Sequence, residues 1–281
     1  MKIILTGGAG FIGRYVKQHA EAAGHDVVLF DRMHGGDVRS KDDIDVSFTG
    51  ADHVIHLAGV LGTHELFDTP QLAIDVNITG TLNVLEWCRR NRASYTGILM
   101  PDVFPSIYTA TKVAAARLAT AYHRDHGIPV SHVRAYNAHG PGQAHGPGHP
   151  QKILPTFATE AWAQRPIPIW GDGKQTVDLV TANDLGRMLV DAVQFGDDDI
   201  FDGGTGTPLS VEAVAIFVAC YVELKLGKSF VPRFVNLPMR RGEIPTHIVA
   251  TGVGWNKLGW APRFTWGDIE ETVDSYQPCA S

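Results

Sequence analysis

Thr6-Gly7-Gly8-Ala9-Gly10-Phe11-Ile12-Gly13 follows directly on the apolar run Ile3-Ile4-Leu5 and leads into Arg14–Ala23. The run reads as a short buried strand, and the segment after the turn as a helix. A strand, a glycine-rich turn and a helix N-terminus make an anion site. Backbone N–H groups point outward there, and the helix dipole favours negative charge. Gly7, Gly10 and Gly13 suit a tight turn, close approach of a pyrophosphate, and close helix–strand packing. A glycine triplet alone is a weak signal, but its context strengthens it. His25–Phe30 reads as a second strand and ends in Asp31, 18 residues after Gly13. A carboxylate there accepts hydrogen bonds from an adenosine ribose and repels a 2′-phosphate, which favours NAD over NADP.

The 281 residues can bury a large core, either one α/β domain or a domain plus a small lobe. A net charge of −6 argues against a nucleic-acid partner held mainly by phosphate contacts. No apolar run approaches the ~20 residues of a membrane span. A strand starting at residue 3 leaves no room for a signal peptide. Cys88, Cys220 and Cys279 are isolated, odd in number and without metal or disulfide spacing. These features together predict a cytoplasmic protein.

The first half alternates strand-like and helix-like segments: strands at Asp52–Leu57, Gly97–Met100 and Ile128–Val133, helices at Pro70–Arg90 and Ile107–His126. That alternation predicts a Rossmann-type, doubly wound parallel sheet. The glycines and prolines of Asn137–Pro150 predict a loop. Asp178–Thr181 is expected to return to the main sheet. Val211–Leu226 and Asp268–Tyr276 read as helices, and Pro232, Pro238 and Pro245 break the region between them. Residues 1–140, with strand returns near 178–205, form the expected dinucleotide-binding domain. Residues 141–281 form mainly a smaller C-terminal lobe that takes the substrate, with the site in the cleft between them.

Tyr108-Thr109-Ala110-Thr111-Lys112 lies near the start of the second long helix, and i,i+4 spacing puts Tyr108 and Lys112 on one face. A tyrosine with a pKa near 10 is too weak a base at neutral pH, and a neighbouring ammonium is expected to lower that value. The pair could then remove a proton from a sugar hydroxyl while a nicotinamide takes the hydride.

These motifs resemble the extended short-chain dehydrogenase/reductase family, in particular its NAD-dependent nucleotide-sugar epimerases and dehydratases, over nearly the whole chain. The resemblance implies cofactor contacts from Gly7, Gly10, Phe11, Ile12 and Gly13. Asp31 and Arg32 would lie at the ribose, and Asp37 and Val38 at the adenine edge. Leu57, Ala58 and Gly59 of His56-Leu57-Ala58-Gly59 would line the cofactor, and Asn77 is the structural asparagine of Asp75–Thr81. Tyr108 and Lys112 would act both as catalytic pair and as cofactor ligands. Asn137, in Arg134–Gly142, belongs to the loop closing over nicotinamide and sugar. Lys174 and Gln175, in Trp170–Gln175, and Arg240, in Arg240-Arg241-Gly242-Glu243, would contact the nucleotide, with Asp178 in the same segment. The family forms dimers through its two long helices, so a homodimer with Leu118 on the exposed face is expected.

Three departures stand out. The strand Ile98–Phe104 carries no Ser or Thr at the position where the family holds the substrate oxygen, and Pro105-Ser106-Ile107 reaches Tyr108 at once. Asp102 stands in the stretch where the family's dehydratases carry an acid. It reads either as a buried carboxyl that donates a proton or as a cap of a turn or helix. Val177 replaces the phosphate-gripping Arg before Asp178, leaving Arg240 or Lys174 to do more. His139, His145 and His149 crowd one loop at a spacing that fits no trusted metal pattern, so no metal is expected. Epimerisation through transient C4 oxidation is the first expectation. Dehydration using Asp102 is the second, and an NAD-binding protein with little catalysis the third.

Overall fold

A computed structural model describes residues 1–146, 149–227 and 233–278. Pro147 and Gly148 of the expected loop, Pro232 and Cys279 lie outside the described residues. The first part of the chain runs β1 (Lys2–Thr6), α1 (Phe11–Ala22), β2 (Asp26–Phe30), α2 (Lys41–Ser47), β3 (His53–His56), α3 (Pro70–Ala73), α4 (Gly80–Asn91), β4 (Ser94–Leu99), α5 (Ile107–His126) and β5 (Val130–Ala135). It continues with β6 (Asn137–His139), α6 (Ile153–Trp162), β7 (Ile167–Trp170), β8 (Thr176–Val177), β9 (Leu179–Thr181), α7 (Ala182–Asp191) and β10 (Asp197–Gly203). The last elements are β11 (Leu209–Ser210), α8 (Val211–Lys225), β12 (Phe234–Leu237), α9 (Trp255–Leu258) and α10 (Trp266–Asp274).

The fold is a doubly wound α/β sheet of six parallel strands in the order β2-β1-β3-β4-β5-β10. Strand direction through the pleat divides the core: Ile3 and Leu5 face one layer with α1 and α7, and Ile4 faces the other with α4 and α5. The chain leaves β1 toward β2 and then returns to the other side of β1 at β3. That reversal opens a crevice at the carboxyl ends of β1 and β3, where the glycine turn and Ala58-Gly59 lie. A third apolar cluster, built from α6, β7, α8 and α10, lies outside the sheet.

Three expectations change. Asp178–Thr181 does not join the main sheet: β9 pairs with β6, register Asn137↔Leu179 to His139↔Thr181. The edge of β5 is already taken by β10, so no pairing groups remain for it. Asn137–Pro150 is therefore not wholly loop. Pro70–Asn91 is helical, but a π-helical turn at Ile74–Thr79 separates α3 from α4.

Four histidines are buried among the described residues, and three of them, His53, His56 and His139, hydrogen-bond to hydroxyl side chains. His53 bridges Ser94 Oγ at 2.5 Å and Thr96 Oγ1 at 2.8 Å, and His56 bridges Thr6 Oγ1 at 2.7 Å and Thr81 Oγ1 at 3.0 Å. His139 Nδ1 meets Thr272 Oγ1 at 2.9 Å, tying β6 to α10. Desolvation drives the His53 and His56 values down to about 3 and that of His139 to about 4. A folded-state value below the unfolded one means that the unfolded chain binds more protons as pH falls through 6.5, so stability is lost there. We predict that lowering pH from 7 to 5 destabilises the protein, and that His139→Gln reduces this loss by about 2 kcal/mol. Urea unfolding at the two pH values measures the difference.

Candidate active site

The glycine turn is tight at each predicted position. Gly7 has φ +69°, and a Cβ there would lie 2.7 Å from Ala58 N. A Cβ on Gly13 would lie 2.6 Å from Gly7 O, and one on Gly10 3.1 Å from the same oxygen. Helix α1 starts at Phe11 and Ile12 with Gly10 as N-cap, no side-chain cap and no acid in its first turn. Its leading N–H groups and dipole thus favour an anion. Asp31 is turned toward the glycine turn: Oδ2 accepts from Ala9 N–H at 3.2 Å and Oδ1 from Met33 N–H at 3.0 Å. Neighbouring Arg32 is exposed. This cradle of absent side chains, free N–H groups and a carboxylate fits a dinucleotide.

Other predicted contacts have internal partners. Arg39 grips Asp37 through Nε at 3.0 Å and holds its carboxyl below the usual range. Val38 is buried against Gly80, and its carbonyl accepts from Asn83 Nδ2 at 3.0 Å. Leu57 N–H donates to Thr6 O and Ala58 N–H to Thr6 Oγ1. Gly59 leaves room for Asn77, whose Oδ1 would lie 3.0 Å from a Cβ there. Asn77, 1% exposed in the π turn, accepts from Val60 N–H at 2.9 Å and donates to Thr111 Oγ1 at 3.0 Å. Thr111 Oγ1 in turn donates to Ile107 O and Tyr108 O. The cofactor-side segment is thereby fixed to the helix that carries Tyr108.

Tyr108 is half-buried in the first turn of α5, and Lys112 is buried one turn later. The expected lowering of the Tyr108 value is not found. Desolvation pushes Tyr108 up to about 12 and Lys112 down to about 8. Burial is the cause in both, because each charged form leaves water. Ser106 and Thr109 do not supply the missing hydroxyl: their side chains form the capping box of α5, with Ser106 Oγ accepting from Thr109 N–H at 3.1 Å. Asp102 is exposed, which removes the burial its proton-donor role required. It also caps nothing at α5, where Ser106 is the N-cap.

In the C-terminal lobe, Lys152, Thr156, Trp170, Gln175, Thr176 and Arg240 line a cavity of about 130 Å³. Arg240 forms a fork with Glu243, 2.7 and 2.9 Å, and lies over the Trp170 ring at 5.2 Å. Gln175 Nε2 donates to Trp170 O at 2.7 Å, which orients the amide. Its Oε1, Thr156 Oγ1 and Thr176 Oγ1 are buried without a protein partner among the described residues. Lys174 is exposed in the adjoining turn and Asn137 is exposed on β6; neither lines this cavity. Asp178 is wholly buried, accepting from Thr205 N–H, Thr205 Oγ1, Gly206 N–H and Ala250 N–H, so it organises the lobe. Sequence reasoning missed Lys152 and Thr156. A hydroxyl amid the apolar run Ile153–Ala158 was the available signal for Thr156. Among the described residues no group of His, Cys, Asp and Glu is placed to hold a metal ion, and no helix is long and apolar enough to cross a membrane.

Fold and site define a dinucleotide-binding α/β protein with a second, polar-lined pocket. The chain belongs to the NAD dependent epimerase/dehydratase family, which matches residues 3–98 and 101–202. NAD is the cofactor of this family. A UDP-glucuronate 4-epimerase of Thermodesulfobacterium geofontis is 31% identical over 236 residues, 78% of this chain and 69% of that protein. A dTDP-glucose 4,6-dehydratase of Streptomyces niveus is 25% identical across 99% of this chain and 93% of its own. Among solved structures, UDP-glucose 4-epimerase of Thermotoga maritima with UDP-glucose superposes with a TM-score of 0.87 at 22% identity, covering 99% of each chain.

A buried ammonium carries a folding cost. The depressed Lys112 value makes that cost full below pH 8, and it fades as pH rises from 8 toward 10.5. Lys112→Met is therefore expected to stabilise the ligand-free protein by about 1–3 kcal/mol at pH 7 and by less at pH 10. Denaturant midpoints at the two pH values check both sign and trend.

Proposed function

We propose that this protein is an NAD-dependent epimerase acting on a nucleotide-linked sugar through transient oxidation at C4. The observation that carries this reading is Tyr108 and the buried Lys112 one turn apart on α5, joined through Thr111 and Asn77 to the segment beside the glycine turn. When bound, NAD supplies the hydride acceptor and donor. The turn from Gly7 to Gly13 holds its pyrophosphate, and Asp31 its adenosine ribose. Tyr108 takes the proton of the sugar hydroxyl at its Oη and returns it. Lys112, one turn along the helix, favours the phenolate form that accepts this proton, and holds the nicotinamide ribose. Residues 1–140, with the returning strand β10, form the cofactor part, and residues 141–281 mainly the substrate part. Gln175, Thr156 and Thr176 face the nucleobase, and Trp170 offers its ring.

Elimination of water would require an acid at the departing hydroxyl. Asp102 is exposed, which favours epimerisation over dehydration. Two copies pair through the outer faces of α4 and α5, where Ala110 and Arg117 are exposed, whereas Leu118 packs partly against the core. Light scattering of the purified protein tests that pairing.

Tyr108→Phe is expected to lower turnover on UDP- or dTDP-hexoses by roughly 10²- to 10⁴-fold while NAD remains bound. Product analysis by mass spectrometry should detect no loss of water from the wild-type reaction. Full activity in the Phe variant would sink the assignment of Tyr108, and a product lighter by one water would sink epimerisation.

A further inference from the structure

Where relatives by motif carry a phosphate-gripping arginine, this chain has Val177, apolar and only 7% exposed, on the wall of the lobe cavity. Its neighbour Asp178 has both oxygens engaged by four internal donors, so this strand brings no cation to the cavity. Two cations nevertheless reach the wall from elsewhere. Arg240 comes from the segment after β12, and Lys152 directly precedes α6. Arg240 is already matched by Glu243. Lys152 forms no ion pair among the described residues, and the charged groups acting on it are Glu65, Arg240 and Glu243. Helix α6 begins immediately after Lys152 with no side-chain cap and no acid in its first turn. Its dipole therefore adds positive potential at the same wall.

Two phosphate groups leaving water for a cavity need more positive charge than one arginine half neutralised by a carboxylate. A lysine on a flexible stem serves as a point charge where a rigid fork is missing. We propose that Lys152 supplies the second positive charge on the substrate's phosphates, in place of the arginine absent at Val177, so that the diphosphate lies between Lys152 and Arg240. This rests on the nucleotide-sugar reading above.

The test uses the NAD-loaded full chain as wild type, Lys152→Met and Lys152→Arg, with UDP, dTDP and uridine as calorimetric probes. Wild type is expected to bind UDP or dTDP. Lys152→Met should weaken that binding roughly 10- to 100-fold, flatten its salt dependence and leave uridine unchanged, whereas Lys152→Arg retains most of the affinity. In turnover the Met variant should raise KM with little change in kcat. Unchanged UDP and dTDP affinity in Lys152→Met overturns the assignment of Lys152 alone. So does an equal loss for uridine, which would mark a packing role. Wild-type protein that binds neither UDP nor dTDP overturns the nucleotide-sugar reading and the proposal with it.

Discussion

One buried imidazole holds the two halves of the candidate site in register. Thr81 Oγ1 donates to Asn77 O at 2.7 Å, so toward His56 it must accept, and His56 Nε2 carries the proton. His56 Nδ1 then accepts from Thr6 Oγ1, which in turn accepts from Ala58 N–H. This assignment works only for a neutral ring, and burial enforces neutrality by driving its value to about 3, with the Lys112 charge acting in the same direction. From Asn77 the chain continues through Thr111 to the backbone of Tyr108. A single line of hydrogen bonds thus spans the end of β1, the end of β3, the π turn and the start of α5. Each bond is modest, but leaving a buried partner unmatched costs about 1–3 kcal/mol, so the set acts as a unit. The π turn at Ile74–Thr79 belongs to this arrangement, because such turns re-aim side chains within a helix and recur at functional sites.

A second pair of buried groups sets the lobe against the sheet. Asp178 and Asp202 are both fully buried carboxylates. Asp202, near the end of β10, accepts from Arg134 Nη1 at 3.0 Å and, through its other oxygen, from Thr251 and Val253 N–H groups. Asp178 accepts from Gly206 and Ala250 N–H groups. Two uncompensated carboxylates at these depths would be prohibitive, so their donors must keep their places. Residues 250–253 are consequently fastened to β10 and to the start of β9 at once. The lobe cavity therefore has a fixed relation to the carboxyl ends of the strands, where the glycine turn lies.

Legibility in the sequence followed how local each constraint is. The glycine turn and Asp31 were readable because a positive φ and a Cβ clash are properties of a few neighbouring residues. Tyr108 and Lys112 were readable as a pair because helical spacing fixes their common face. His56 and Thr81 were not, since a histidine and a threonine 25 positions apart announce nothing until β3 and α4 bring them together. The pairing of β6 with β9 escaped notice because strands of three residues carry no period. The direction of the Tyr108 shift was misjudged for a related reason. The closeness of Lys112 is visible from spacing, whereas the desolvation that raises Tyr108 depends on what the rest of the chain packs around the helix. The surroundings of Asp178 and Asp102 were out of reach likewise: Asp178 is buried among internal donors, and Asp102, legible only as either a buried acid or a cap, faces water.

The short connection after β4 that removes the family hydroxyl also moves Tyr108 into the first turn of α5, two residues past its N-cap. A helix N-terminus carries about half a positive charge. The first turn of α5 contains no acid to offset it, and Ser106 and Thr109 saturate each other in the capping box. The phenolate form in which Tyr108 accepts the sugar proton is thus supported from two sides, by the dipole of a 20-residue helix and by the Lys112 ammonium one turn on. Both supports act on the charged form and so oppose the desolvation that raises the Tyr108 value. In the proposed reaction they take up the part that a hydroxyl on β4 would play in the pattern the motifs resemble: not by sharing the proton, but by lowering the energy of the phenolate that accepts it.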